Sequence, residues 1–383
     1  MSSGTAPGSG TAPGSGVARG SGTAPGPGVA WGSGTVPSYG PRFPDGPLPR
    51  VAILGCGQIA QTAHLPAYAA HDVDVVGVWS RRRETTETVP ERFPGVRKVH
   101  ASVEELLADP EVDIVDIATP AEGRLEHVAA ALAAGKHVLA QKPLTLDVEG
   151  LRPLLAQARR RGLRVAVNQN GRWAPQWRLA TRLIEDGAIG DVVGVTHLHD
   201  KPLPPLAGTP FDDVPHMLVT DYLLHWVDIT RCWLRGKQVA TVRADDARVP
   251  GQPAAARNPW SASVEVRCTD GAGALLRIVG DVRTRHPSCP FWVHGTDGTL
   301  RGSILGRDHL ELERGETTTR YALEGAWFVD GFAGVMGELM CAVVEDREPS
   351  NSAADNVASL ELTLAARDSA QRGGAVVPLP IQL

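Results

Sequence analysis

The sequence predicts a two-domain α/β protein, with a doubly wound parallel sheet first and then an α+β domain built on a large open, mainly antiparallel sheet. Three observations carry this. Apolar strands alternate with amphipathic helices from Arg50 to about Gln169, and a glycine-rich turn follows the first of those strands. After about Gly171 the texture changes to short strands joined by Gly and Asp-Gly turns. A length of 383 residues exceeds one ordinary domain and suffices for two buried cores. The expected boundaries are a tail at 1–48, a nucleotide-type domain at 49–170 and a second domain at 171–383.

Residues 1–48 repeat SGTAPG-like units with almost nothing to bury. The entropy of ordering that backbone would go uncompensated, so a disordered tail is expected. From Arg50 the runs VAILG (51–55), VDVVGVW (73–79), VDIVDIAT (112–119), HVLAQ (137–141) and LRVAVNQ (163–169) read as buried parallel strands. Amphipathic segments such as IAQTAHLPAYAA, SVEELLADP and EGRLEHVAAALAAG lie between them and supply right-handed crossovers. Beyond Gly171, helices are expected near 175–187 and 214–235. Strand-like runs follow at 238–246, 260–269, 272–281, 291–295, 298–304, 308–313 and 317–323, several joined by TDGAG and TDGT turns. Two late helices, about 330–346 and 353–372, should pack back on that sheet, the second stopped by Gly373 and Gly374.

Charge and cysteine usage narrow the function. Thirty-eight basic and 43 acidic residues give a formal charge of −5, which is no footprint for nucleic acid or an acidic membrane. Cys56, Cys232, Cys268, Cys289 and Cys341 are scattered, odd in number and never arranged as CxxC. Neither a disulfide framework nor a structural zinc site is encoded, and a reducing cytoplasmic setting is expected. No stretch approaches the ~20 apolar residues of a membrane helix, and the N-terminus lacks the basic and apolar regions of a secretory signal. Small-molecule chemistry is the leading class.

Gly55-Cys56-Gly57-Gln58-Ile59-Ala60 has the GxGxxA form, directly after an apolar strand and opening a helix. The first glycine permits the tight bend, the second lets backbone approach a pyrophosphate, and Ala60 allows close helix–strand packing at a helix N-terminus facing the phosphates. This setting defines an NAD(P)-binding Rossmann domain. At the end of the second strand an Asp or Glu would accept from the ribose 2′-hydroxyl and select NAD. Here VGVWSRRRE offers Ser80, Arg81, Arg82 and Arg83, so NADP is favoured over NAD.

The segment ATPAEGRLEHVAAALAAGKHVLAQKPL resembles the glucose-fructose oxidoreductase, inositol dehydrogenase and MocA family, which reads ATP…AL.AGKHVL.EKP at the corresponding strand ends. NQNGRWAPQWRLATRLIEDGAIGDVVGV is similar to that family's entry into its second domain, DYLLHWVDITRCWLRG to its D-x-x-x-H-x-x-D helix, and DNVASLELTLAARDSAQRGGAVVPL to its terminal helix. The resemblance runs from about residue 49 to 380. It implies cofactor contacts from Gly55, Gly57, Gln58, Ile59, Ser80, Arg81, Arg82, Thr119, Pro120, Gln141, Lys142 and Asn170. It also implies that Lys142 is the family's EKP lysine. Three departures stand out: Gln141 replaces the family's glutamate, Arg124 its usual histidine after ATP, and VPHMLVTD its glycines before the Asp helix.

Lys142 follows the fifth strand of the alternation, at the carboxyl edge of the sheet where open α/β folds bind ligands. Its ammonium can hydrogen-bond a substrate oxygen and stabilise alkoxide character as hydride leaves. Only five lysines stand against 33 arginines in the chain. Asp221, His225 and Asp228 recur at i, i+4 and i+7, one stripe of a helix. That spacing suits acid–base work: His225 takes a hydroxyl proton, Asp221 orients the ring and raises its basicity, and Asp228 supports from behind or forms a salt bridge. Tyr222, Trp226, Ile229 and Trp233 form an apolar stripe beside it. No metal site is expected, since one His with Asp partners gives too few donors for zinc, and His197 and His199 in VTHLHD read as ordinary strand histidines. Lys142, Arg172, Trp173, Asp221 and His225 are the expected substrate contacts, with Trp177 as readily core as surface. A charged substrate met by Arg124 or His216 is a further expectation from the departures.

The expected activity is that of an NAD(P)-dependent oxidoreductase, interconverting alcohol and ketone on a sugar, inositol or related polyol. Lys142, Asp221 and His225 would carry the proton relay. An open sheet face makes a homodimer or homotetramer the expected assembly. Two other readings fit the same fold: a sensor that binds NAD(P) without turnover, and an imine or enone reductase that needs no base for a hydroxyl proton.

Overall fold

The computed structural model describes residues 29–31 and 36–383, apart from 204–205, 281–283 and 307. Most of the expected tail lies outside the described residues, but its described part is not free chain. Val29–Trp31 form a short strand, β1, parallel to residues 317–322 at the edge of a sheet. Tyr39 accepts a hydrogen bond from the Glu324 backbone at 2.9 Å, Arg42 pairs with Glu345, and Phe43 stacks on His71. The tail expectation is corrected for residues 36–48, where Tyr39, Arg42 and Phe43 engage the body of the protein.

The nucleotide domain is a six-stranded parallel sheet of β2 (Val51–Leu54), β3 (Val75–Trp79), β4 (Lys98–Val99), β5 (Ile114–Ile117), β6 (His137–Gln141) and β7 (Val165–Asn168), in the order β4-β3-β2-β5-β6-β7. Alternate residues feed two cores, as a sheet covered on both faces requires. Ala52, Leu54, Val115 and Ile117 meet Val128 and Leu132 of helix Arg124–Ala133 and Leu151 of helix Val148–Arg160. Val51 and Ile53 meet Tyr68 on one side of the sheet and Phe332, Met336 and Leu339 of helix Trp327–Val344.

That last packing corrects two expectations. The helix near 330–346 belongs to the parallel sheet's core, not to the antiparallel sheet. It also spans 18 residues at a mean hydropathy of 1.5, long and apolar enough to cross a membrane by length and composition. Here it is a core helix, with 61% of that stretch buried. A helix apolar on most faces must be covered on most faces.

The second sheet has ten strands: β8 (Val192–His199), β9 (Gln238–Ala247), β10 (Ser261–Cys268), β11 (Gly273–Val279), β12 (Pro290–Gly295), β13 (Thr299–Ser303), β14 (His309–Arg314), β15 (Thr317–Ala322) and β16 (Val377–Gln382), with β1 at the edge. Its order is β1-β15-β14-β13-β12-β8-β11-β10-β9-β16. It is antiparallel except where β11 meets β8 and β1 meets β15. β16 was not expected, because VPLPIQ carries two prolines; it sits at an edge, where a missing N–H costs no ladder bond. Helices Pro175–Glu185, Leu224–Trp233 and Ala353–Gln371 cover one face and bury Trp177, Trp226, Trp233 and Phe291 together. Trp177 is fully buried, with its ring edge-on to His197, Trp226 and Trp233, so it is core.

Candidate active site

The site forms where the carboxyl edge of the parallel sheet meets the second domain. Gly55 bends the chain at a φ of +100°, and a Cβ there would lie 2.8 Å from the Thr119 backbone nitrogen, so only glycine fits. Its N–H donates to Trp79 O at 2.8 Å, which ties the turn to the end of β3. A Cβ on Gly57 would meet nothing within 4 Å. The loop therefore presents bare backbone where a pyrophosphate would approach. Ala60 is fully buried, as close helix–strand contact demands. The helix that opens at Gln58 and Ile59 carries a π-turn over Ala60–His64 before it continues as Leu65–Ala69.

Other features of this edge fit a dinucleotide. Arg81 and Arg82 are exposed beyond β3 with no ion-pair partner among the described residues, whereas Arg83 pairs with Glu87 at 3.0 Å. Ser80 is half-buried beside them, Pro120 is exposed, and the Thr119 hydroxyl is buried without a partner. Cys56 is fully buried; burial, reinforced by the Asp116 charge, pushes its thiol up to about 12, so it is no nucleophile.

Lys142 closes the site from the nucleotide domain. Its Nζ lies 3.0 Å from Asp221 Oδ1 and 3.1 Å from Asp221 O. Asp221 sits in a second π-turn, Leu218–Tyr222, and Leu223 separates that turn from helix Leu224–Trp233. The three-residue stripe is thus interrupted. The Asp221 carboxylate serves Lys142, and no hydrogen bond joins it to His225 among the described residues. This corrects the expectation that Asp221 orients the imidazole. His225 is half-buried one turn on, its Nδ1 buried without a partner and its ring edge-on to Trp327 at 5.6 Å. Burial first, and the nearby Lys142 charge second, push His225 down to about 3, so the ring is neutral at ordinary pH.

Arg124 is a structural clamp, not a substrate contact. It is 2% exposed, and its guanidinium donates to the carbonyls of Gln141 at 2.6 Å, of Pro143 and of Thr119. It fixes the backbone on both sides of Lys142. His216, the other residue considered for a charged substrate, is tied to Asp246 at 2.8 Å.

Arg172 and Trp173 are corrected as well. Arg172 donates to Asp228 through Nε at 2.6 Å and Nη2 at 2.7 Å, and also pairs with Asp355 at 2.9 Å. Asp228 further accepts from Ser359 at 2.6 Å, and Arg231 pairs with Asp355 at 2.5 Å. Two arginines and two aspartates neutralise one another, so Asp228 is the salt bridge its position allowed and Arg172 has no donor aimed at a ligand. Trp173 is 3% exposed, lies against Gly334, and carries the Arg178 guanidinium over its ring at 5.4 Å. Packing claims it because Gly334 leaves a slot for the indole.

His197 is buried with both ring nitrogens unpartnered and pushed down to about 3 by burial; His199 bonds Tyr222 Oη at 2.9 Å. No cluster of three metal-ligating side chains occurs among the described residues. Sequence reasoning missed Trp327, whose ring meets His225, and its neighbour Phe328, which is 54% exposed. It also missed the buried group of His64, Tyr68 and Asp116 behind Gln141, whose Nε2 lies 3.3 Å from His64 Nε2. The only local signal for that group was an aspartate inside an otherwise apolar strand.

A glycine turn at the carboxyl edge of a parallel sheet, facing a lysine, a carboxylate and a neutral imidazole drawn from two domains, defines a nicotinamide-dependent oxidoreductase site. The chain belongs to the glucose-fructose oxidoreductase/inositol dehydrogenase/MocA family. Residues 49–169 match the oxidoreductase family with an NAD-binding Rossmann fold, and residues 177–301 match the GFO/IDH/MocA C-terminal domain. Over 338 residues it is 27% identical to the 1,5-anhydro-D-fructose reductase of Ensifer adhaerens, covering 85% of this chain and 97% of that one. It is 32% identical over 143 residues to scyllo-inositol 2-dehydrogenase (NADP(+)) IolW of Bacillus subtilis (strain 168), 37% of this chain and 39% of that one. In fold it is similar to levoglucosan dehydrogenase, solved in complex with NADH and levoglucosan, with a TM-score of 0.73 at 22% identity over 87% of this chain and 100% of that one.

Proposed function

We propose that this chain is an NAD(P)-dependent dehydrogenase or reductase that interconverts an alcohol and its carbonyl on a sugar, inositol or related polyol. The observation that carries the reading is the meeting of Lys142 with Asp221 at 3.0 Å across the domain boundary, beside a neutral His225. When bound, the nicotinamide supplies the hydride acceptor or donor. This chain's residues do the rest. Lys142 Nζ, anchored by Asp221, donates to the substrate oxygen and stabilises its alkoxide character. His225, neutral and able to accept, takes the hydroxyl proton in the oxidative direction and returns it in the reverse. Tyr222, Trp327 and Phe328 offer ring faces to the apolar side of a sugar. The names of the relatives support this substrate class.

The reading favours NADP, because Arg81 and Arg82 present unpaired guanidinium groups beyond β3 and Ser80, not a carboxylate, stands at the strand end. It also favours self-association. The outer face of the ten-stranded sheet carries Leu275, 44% exposed, in register with Thr196 and Trp292, and a homodimer or homotetramer would cover that stripe. Sedimentation velocity of the intact chain tests this, and a monomer throughout would refute it.

The deciding experiment is a steady-state screen with levoglucosan and scyllo-inositol against NADP+ and NAD+, and with 1,5-anhydro-D-fructose against NADPH and NADH. Turnover that Lys142→Ala abolishes supports an enzyme. Tight cofactor binding with no turnover on this panel, unaffected by Lys142→Ala, would favour a sensor.

A further inference from the structure

We propose that His64 is a positioning residue, held as its Nδ1–H tautomer, whose Nε2 lone pair orients Lys142 and Trp327 together. The imidazole is fully buried at the end of the π-turn Ala60–His64, among β5, β6, β7 and helix Trp327–Val344. Two separate hydrogen-bond chains end on it. Both start from a group that can only donate, and so both fix the direction of every bond along them.

The first chain starts at the Trp327 indole N–H, which donates to Asn170 Oδ1 at 2.8 Å. Asn170 then presents Nδ2 to Asn168 Oδ1 at 3.3 Å, which leaves Asn168 Nδ2 facing His64 Nε2 at 3.4 Å. The second starts at the Lys142 backbone N–H, which donates to Gln141 Oε1 at 2.7 Å; Gln141 Nε2 then faces His64 Nε2 at 3.3 Å. Two amide N–H groups thus converge on one ring nitrogen, which must be an acceptor. The ring's proton is therefore on Nδ1, where Asp116 Oδ2 receives it at 2.6 Å. Tyr68 donates to that same oxygen at 2.6 Å, and Asp116 is fully buried. The polarity agrees from both ends.

The consequence reaches both halves of the site. One arm sets the backbone at Lys142; the other sets the indole that meets the His225 ring. A carboxylate at position 141 has no N–H to give, so it would oppose the Nε2 lone pair. The polarity, not the mere presence of side chains, is what the site depends on.

The test has two arms. The tautomer is read from 15N shifts of histidine-labelled protein, with the His64 signals identified by their loss in His64→Gln; an unprotonated Nε2 at neutral pH is expected, and an Nε2–H ring would overturn the proposal. The effect on turnover rests on the function proposed above and is read on scyllo-inositol and levoglucosan. Gln141→Glu should cut kcat by about tenfold with a smaller change in NADPH affinity. An unchanged kcat in that variant would overturn the proposal. If neither sugar is oxidised by the parent protein, the function reading fails while the tautomer arm still decides this one, as it does if the variant does not fold.

Discussion

The Lys142 ammonium and the Asp221 carboxylate, 79 residues apart and on different domains, lie 3.0 Å from each other with side chains only 17% and 14% exposed. Removing the charge leaves that ammonium only uncharged acceptors at position 221 and strengthens its repulsion of a proton on His225. Asp221→Asn is expected to lower kcat by roughly tenfold to a hundredfold and to leave cofactor affinity within about twofold. Parallel measurement of kcat and cofactor Kd checks this; a loss confined to Kd would contradict it.

Acid should unfold this protein through buried histidines. Burial holds His197 and His225 near about 3 and His199 near about 4, all below the ordinary 6.5. The unfolded chain therefore takes up protons that the folded one refuses. Stability is intact above about pH 6.5 and is lost as pH falls through the window toward those lower values, by up to about 1.4 kcal/mol per pH unit for each histidine. Urea midpoints at neutral pH and near pH 5 test it. His197→Phe should flatten the slope, and a midpoint independent of pH across that window would refute the account.

The buried cluster of Arg172, Asp228, Arg231 and Asp355 is expected to matter for folding ahead of binding. Arg172→Gln strands Asp228, which is 1% exposed, and should cost about 3–5 kcal/mol. Denaturant unfolding reads the loss. A variant as stable as the parent but with a raised substrate KM would return Arg172 to the substrate site.

Arg81→Ala and Arg82→Ala are expected to raise the KM for NADP+ by roughly tenfold each and to change that for NAD+ by less than about twofold. Equal effects on both cofactors would show that these guanidinium groups stack on adenine without reading the 2′ position.

What was legible in the sequence was local. Gly55, Gly57 and Ala60 act within a single turn, and Lys142 was marked by its place after the fifth strand, whereas the i, i+4 spacing of Asp221 and His225 gave the aspartate the wrong partner. Arg172, Trp173 and Arg124 misled because their partners lie on other elements of the chain. The Asp228 and Asp355 that consume Arg172, the Gly334 that makes room for Trp173, and the carbonyls that engage Arg124 come together only in the folded chain. His64 was invisible for the same reason: its partners Asp116, Gln141 and Asn168 come from three different strands. The two π-turns also escaped, since nothing in periodicity marks one extra residue in a helical turn.

The most direct measurement is the turnover number of Lys142→Ala beside the parent, with NADPH affinity measured on the same samples. If the lysine donates to the reacting oxygen, kcat falls by about a thousandfold while the nucleotide binds as before. A variant that oxidises the same sugar at the parent's rate would contradict the assignment of this cleft as the place where the chemistry occurs.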